Sequence, residues 1–200
     1  LRRTAVIGRP NAGKTAFTIS FATYLGFQSL RFVKQTVEGE AVELELSQEA
    51  AAASLVSPTP HKTTSIQALE LECAVGKGKR QFELLDTCGL VEGIHPERNI
   101  RLAMAQSLQL IKDADLVLHV IDAAAVGRNQ DSFGVLEEEL ASWGEARGNY
   151  LLLANKMDLP AARAGLAAIQ SFFSALPVIA TSARTGQGFK EVKKYVLRIL

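Results

Sequence analysis

Three short stretches carry polar groups at spacings suited to nucleotide chemistry. Gly8-Arg9-Pro10-Asn11-Ala12-Gly13-Lys14-Thr15 has the pattern G-x-x-x-x-G-K-[ST], between a short apolar run and an amphipathic one. A glycine-rich turn from strand to helix points backbone N–H groups inward around phosphates, and the helix N-terminus adds favourable partial charge. Lys14 can reach the β/γ-phosphates, and the Thr15 hydroxyl can ligate Mg²⁺. The competing reading is a chance loop match, which the flanking elements disfavour.

About seventy residues further on, Asp86-Thr87-Cys88-Gly89 follows the apolar run Phe82–Leu85. A carboxylate at that strand's end faces the phosphate loop and can hold Mg²⁺ directly or through water. Gly89 offers a backbone N–H to a γ-phosphate. D-x-x-G alone is common and otherwise reads as an Asx turn; its place at a strand end gives it weight. Asn155-Lys156-Met157-Asp158 follows a third apolar run, Tyr150–Ala154. The acceptor-only Asp158 can take both N1–H and N2–H₂ of guanine, donors that adenine lacks. Sites built on such pairing discriminate ~10⁴-fold or better. Asn155 would tie this loop to the phosphate loop, and the Lys156 stem would cover the base. A turn capping the next helix is the plain alternative. Thr181-Ser182-Ala183-Arg184 follows the last strand, where the Ala183 N–H can donate to guanine O6; the fragment is weak alone.

The elements that must position these loops alternate as in a doubly wound α/β sheet. Strands are expected at Arg3–Ile7, Ser65–Val75, Arg80–Leu85, Leu116–Ile121, Tyr150–Ala154 and Pro177–Ala180. Helices are expected at Lys14–Leu25, Arg98–Lys112, Asp131–Glu145, Pro160–Ser174 and Gly188–Leu200, with a hairpin turn at Gly76-Lys77-Gly78. The fold class is therefore three-layer α/β, about six mostly parallel strands with helices on both faces. One connection, of roughly three dozen residues before Ser65, is too long for that rhythm. Leu30–Thr36 and Ala41–Leu46 alternate like a small hairpin, Ser47 can cap a helix over Gln48–Val56, and Ser57-Pro58-Thr59-Pro60 reads as an irregular loop. The reading is one domain over residues 1–200 with an insertion at about 27–57.

Composition narrows the class. The chain has 200 residues, 48% hydrophobic, enough for a sizeable interior. Lys and Arg number 22 against 21 Asp and Glu, a net charge of +1, which argues against a dedicated polyanion-binding face. No apolar run approaches a bilayer span, and no signal-peptide core is visible. Cys73 and Cys88 lack metal or redox spacing, so the reducing cytosol is the simplest compartment. The chain opens at Leu1 without methionine and ends inside a helical pattern at Leu200, as expected of a domain from a longer protein or of a trimmed terminus.

In order and spacing, the four motifs resemble the translation-factor-related P-loop GTPases. The forms Gly8–Thr15 and Asp86-Thr87-Cys88-Gly89-Leu90 look most like the Era/TrmE-like branch, which includes ribosome-associated GTPases. The resemblance spans the chain except about 27–57. It implies a Mg²⁺-dependent switch that binds and hydrolyses GTP, a G domain with phosphates held by Asn11, Ala12, Gly13, Lys14, Thr15 and Ala16. The base would lie against Asn155, Lys156, Asp158, Ser182, Ala183 and Arg184. Mg²⁺ would be held by Thr15, Asp86 and a first-switch threonine. Thr64 of His61-Lys62-Thr63-Thr64 is favoured for that place and Thr63 is second. Lys14, Thr64 and Gly89 would act on the reacting phosphate. Asn11 stands where potassium-activated members hold K⁺ beside the phosphates; a loop-stabilising asparagine is the equal alternative.

The sequence departs from the family at Leu90, where Ras-like members have a water-orienting glutamine. Leu90 can neither donate nor accept, so intrinsic turnover should be slow without K⁺ or a partner. His61 and His95 are the nearby imidazoles, each better read as an exposed loop residue; His119 reads as a satisfied core histidine and Cys88 as packing. The segments near Ser57–Thr64 and Asp86–Arg98 are the expected switches. A nucleotide-binding interaction module with little hydrolysis is the alternative. A P-loop phosphotransferase acting on a small metabolite would leave Asn155–Asp158 without a job. Ribosome, RNA or a protein partner would dock through the switches and the insertion, and a nucleotide-dependent dimer is compatible with the family.

Overall fold

The computed structural model describes residues 1–35, 41–56, 66–75, 78–128 and 133–199. His61, Thr63, Thr64, the Ser57–Pro60 loop and the Gly76-Lys77 half of the expected turn lie outside the described residues. Among the described residues eight strands form one sheet, in the order β3-β2-β4-β5-β1-β6-β7-β8. They are β1 (Arg2–Ile7), β2 (Ser29–Gln35), β3 (Ala41–Ser47), β4 (Ile66–Val75), β5 (Gly78–Asp86), β6 (Leu116–Asp122), β7 (Tyr150–Asn155) and β8 (Val178–Ala180). The pairs β1–β5, β1–β6, β6–β7 and β7–β8 are parallel.

The two strands beyond the expected six are β2 and β3. They pair antiparallel, and β2 adds to β4 with Phe32 opposite Leu69. Leu30 and Phe32 are buried in the main core, so this hairpin extends the sheet rather than standing off it. Ser47 ends β3 and caps α2 (Gln48–Leu55), its side chain accepting from the Ala50 N–H at 3.2 Å.

The remaining helices are α1 (Lys14–Tyr24), α3 (Arg98–Asp113), α4 (Ala123–Arg128), α5 (Val135–Arg147), α6 (Ala162–Phe172) and α7 (Phe189–Ile199). Strand β6 shows why both sheet faces are covered. Leu116, Leu118 and Val120 point into one core with α1, α2 and α7; Val117 and Ile121 point into the other with residues of α3 to α6. Phe17 and Phe21 stack at 5.3 Å, and Phe189 meets them edge-on at 5.6 and 5.5 Å. That contact pins α1, and with it the phosphate-loop motif, to α7.

Helix α4 was not expected. Its start is set by Asp122, whose carboxylate accepts from the Ala125 N–H at 2.9 Å. The expected helix at Asp131–Glu145 begins instead at Val135, after Gly134, and runs on to Arg147. Among the described residues no helix is long and apolar enough to cross a membrane. Cys73 and Cys88 are buried, free thiols.

Candidate functional site

The four motif loops leave the carboxyl ends of β1, β5, β7 and the short β8, all on one edge of the sheet. Strand β1 is central, and the chain winds outward from it in both directions. Open α/β sheets bind ligands in the crevice at such a reversal.

The Gly8–Thr15 loop opens directly into α1. Gly13, at φ +97°, precedes the helix, and a Cβ there would strike the Asn155 side-chain amide. The Lys14 ammonium is buried, 2.9 Å from the Arg9 carbonyl. Burial pushes it below the usual lysine range, against the pull of Asp86. The Thr15 hydroxyl donates to Asp86 Oδ2 at 2.6 Å. Asp86 is fully buried, and burial raises its carboxyl to about 6 despite Thr15 and Lys14. Its Oδ1 has no hydrogen-bond partner. A buried carboxylate oxygen left without a donor, beside a threonine hydroxyl, fits a hard cation. Among the described residues no three His, Cys, Asp or Glu side chains gather into a metal cage.

The loop from Asn155 to Asp158 is built around Asn155. Its Nδ2 donates to the Ala12 carbonyl at 3.0 Å, and its Oδ1 accepts from the Ala183 N–H at 3.1 Å. That N–H, expected at guanine O6, is thus engaged by Asn155. Ser182 Oγ donates to Asp158 Oδ1 at 2.7 Å, while the exposed Arg184 stands 3.8 Å from Oδ2. Lys156, at φ +65°, pairs with Asp122 Oδ2 at 2.6 Å, which lays its stem along the loop. A cleft of about 440 Å³ lies among Gly13, Ala16, Asn155, Lys156, Asp158, Ala183 and Arg184. Of the expected phosphate and base residues these seven line the cleft; Ala12 lines a second cavity together with Asn11, its carbonyl tied to Asn155. Asn11 sits at φ +61° and lines a separate cavity of about 310 Å³ with Arg9, His119, Asp122 and Glu137.

The second-switch region differs from an exposed loop at its start. Leu90 is buried, and its N–H donates to the Gly8 carbonyl at 3.1 Å. Gly89 lies against the phosphate loop; a Cβ there would come within 2.7 Å of Pro10 N. His95 is turned to its own chain, Nδ1 accepting from the Glu97 N–H at 3.1 Å ahead of α3. His119 is buried and bonded to the Tyr150 hydroxyl at 2.8 Å.

Sequence reasoning missed two partners. Asp122 fastens Lys156, and the signal was present: an acid at a strand end before Ala123–Ala125 reads as a helix cap. Glu137 receives two bonds from Arg9, at 2.5 and 2.7 Å, and one from the Gly134 N–H at 2.9 Å. Arg9 also reaches Glu92 at 2.7 Å. No local pattern marked that pairing, which joins residues 128 apart.

The family model described as "50S ribosome-binding GTPase" matches residues 45–156, from β3 through the first two residues of the base motif. The chain belongs to this family. Its P-loop GTPase fold is also that of the solved relatives. The tRNA modification GTPase MnmE of Roseiflexus sp. is 30% identical over 205 residues, covering 99% of this chain and 36% of that protein. Era of Aquifex aeolicus bound to GDP·AlF4⁻ superposes with a TM-score of 0.66 at 22% identity, over 99% of this chain and 56% of that one. Era in complex with MgGDPNP and a segment of 16S ribosomal RNA gives 0.66 at 20% identity, over 100% and 56%. The chain spans about a third of the length of the curated relatives it matches.

Proposed function

We propose that the chain is a single G domain, with residues 27–57 as an insertion, that binds GTP and hydrolyses it to GDP and phosphate as a molecular switch. The observation that carries this reading is Asn155, which bonds both the phosphate loop and the Ala183 loop. The Asp158 loop and Gly13 and Ala16 of the phosphate motif line one cleft, which supports Asp158 as the purine-reading carboxylate.

In this reading the Asp158 carboxylate, its orientation held by Ser182, accepts from guanine N1–H and N2–H₂. The Lys156 stem covers the base. The N–H groups of Asn11 to Ala16 and the Lys14 ammonium bind the phosphates. Thr15 and Asp86 would hold Mg²⁺, and Thr64, or failing it Thr63, would add a hydroxyl ligand. The ion would neutralise charge on the β/γ-phosphate oxygens. Gly89 donates its N–H to the γ-phosphate, so loss of that phosphate releases the chain after Asp86. Calorimetry with GDP and ADP in Mg²⁺ tests the assignment. Equal affinities would remove Asp158 from its role.

Hydrolysis is slow in this reading, because Leu90 is turned into the core and cannot orient water. K⁺ beside Asn11 would supply transition-state charge; single-turnover GTP assays in KCl and NaCl decide it, equal rates excluding K⁺. The buried Leu90 also favours a second reading, a nucleotide-binding module with little hydrolysis, which zero turnover in both salts would establish. Membership in a family described as ribosome-binding, and likeness to a tRNA modification GTPase, support a ribosomal or RNA partner in the cytoplasm. Co-sedimentation with ribosomes in GDP and in a non-hydrolysable GTP analogue tests it; absence from the ribosomal fraction in both states would end it.

A further inference from the structure

The guanine cleft has a wall that none of the four motifs provides. Gln48, Ala52 and Val56 line it, together with Asn155, Lys156 and Asp158. The first three are spaced four apart, which puts them in one row along α2 and its C-cap. The residues between them have another task. Ala51 is fully buried in the core that holds α1 and the β2–β3 hairpin, and Leu55 packs against it. Helix α2 is thus fastened by one face and presents the other to the cleft. Ser47 fixes its first turn.

We propose that this face of α2 packs against the nucleoside of the bound guanine nucleotide, so that the 27–57 segment helps to set nucleotide affinity. This rests on the nucleotide reading above and adds a wall to it. The row offers what a base and sugar need: Gln48 can donate and accept, and the Ala52 and Val56 methyl groups supply an apolar surface. Both Ala52 and Val56 are exposed, so nucleoside binding would take their apolar area out of water. Alanine at position 52 also leaves the cleft open; a longer side chain would project into it. The consequence is reciprocal. A nucleotide that gains affinity from α2 must equally stabilise α2 on the core, and Val56 leads straight into the segment that contains Thr63 and Thr64.

The test compares GDP binding by calorimetry for wild type, Ala52→Glu and Ala53→Glu. Ala53 is an exposed neighbour on α2 that does not line the cleft, so the pair carries the same new side chain in two directions. Ala52→Glu should weaken GDP about tenfold or more, and Ala53→Glu should stay within about twofold of wild type. Equal affinities for the two variants overturn the proposal while leaving the nucleotide reading intact; no GDP binding by wild type overturns both. Hydrogen exchange on wild type supplies a readout that needs no variant. Amides over residues 48–56 should slow on adding GDP, and unchanged exchange there overturns the proposal.

Discussion

The side-chain amide of Asn155 donates to the main-chain carbonyl of Ala12 across 143 positions of sequence. With the Ala183 N–H on its other end, Asn155 makes the phosphate, base and last-strand loops one unit. Asn155→Ala leaves that buried carbonyl and that N–H without partners, a cost of about 1–3 kcal/mol for each group left buried. GDP affinity should fall at least about tenfold. An unchanged dissociation constant by calorimetry would show that the loops are held by other means.

Ser182 bears on the same cleft from behind Asp158. Removing its hydroxyl frees Asp158 Oδ1 and the carboxylate's orientation. Ser182→Ala should weaken GDP by about three- to tenfold, as loss of one hydrogen bond to a charged group does. ADP affinity should not change. A parallel loss for both nucleotides would mean that the substitution acts on the loop as a whole.

Arg9 links the phosphate loop to α5 and to the second-switch region through Glu137 and Glu92. Burial would raise the Glu137 carboxyl; the bonds from Arg9 and the Gly134 N–H outweigh it and hold the group below its usual value. Arg9→Ala strands that carboxylate. Because the Arg9 side chain is 39% exposed, solvent screens part of the effect, and the loss should be about 1–3 kcal/mol in urea unfolding. In a double-mutant cycle with Glu137→Gln the two losses should not add. Simple additivity would deny the coupling.

His119 gives a signed pH dependence. Burial lowers its imidazole from 6.5 to about 4, so between those values the unfolded chain binds a proton that the folded chain refuses. Its contribution is fully present above about pH 6.5 and is lost as pH falls toward 4. From pH 7 to pH 5 the wild type should lose about 2 kcal/mol more than His119→Gln. Asp86, raised to about 6, contributes the opposite trend to both proteins and cancels in the comparison. Parallel pH profiles for wild type and variant would contradict the burial of a neutral imidazole.

Helices α4 and α6 meet at Gly127 and Gly165. A Cβ on Gly165 would overlap the Ala123 carbonyl, and one on Gly127 would overlap the Ala161 carbonyl. Gly165→Ala must push the helices apart and should cost about 1–3 kcal/mol. It should do so although alanine raises intrinsic helix propensity. A thermal midpoint at or above that of wild type would show that the crossing can relax.

Local pattern determined much of this protein. The motifs, the buried strands and even the α2 cap at Ser47 follow from residue type, periodicity and near neighbours, which interact within a few positions of one another. Helix α4 is harder to see, because a short alanine run directly after an apolar strand shows no amphipathic period, although Asp122 offers it a cap. What the tertiary structure alone decided are contacts between segments far apart in the chain. Arg9 on Glu137, the β2 edge on β4, Leu90 turned inward and α2 beside the cleft of Asn155 and Asp158 all depend on which surfaces the sheet order brings together. Residue spacing carries no term for that order, because a strand's hydrophobic pattern says that it is buried, not beside which neighbour it lies.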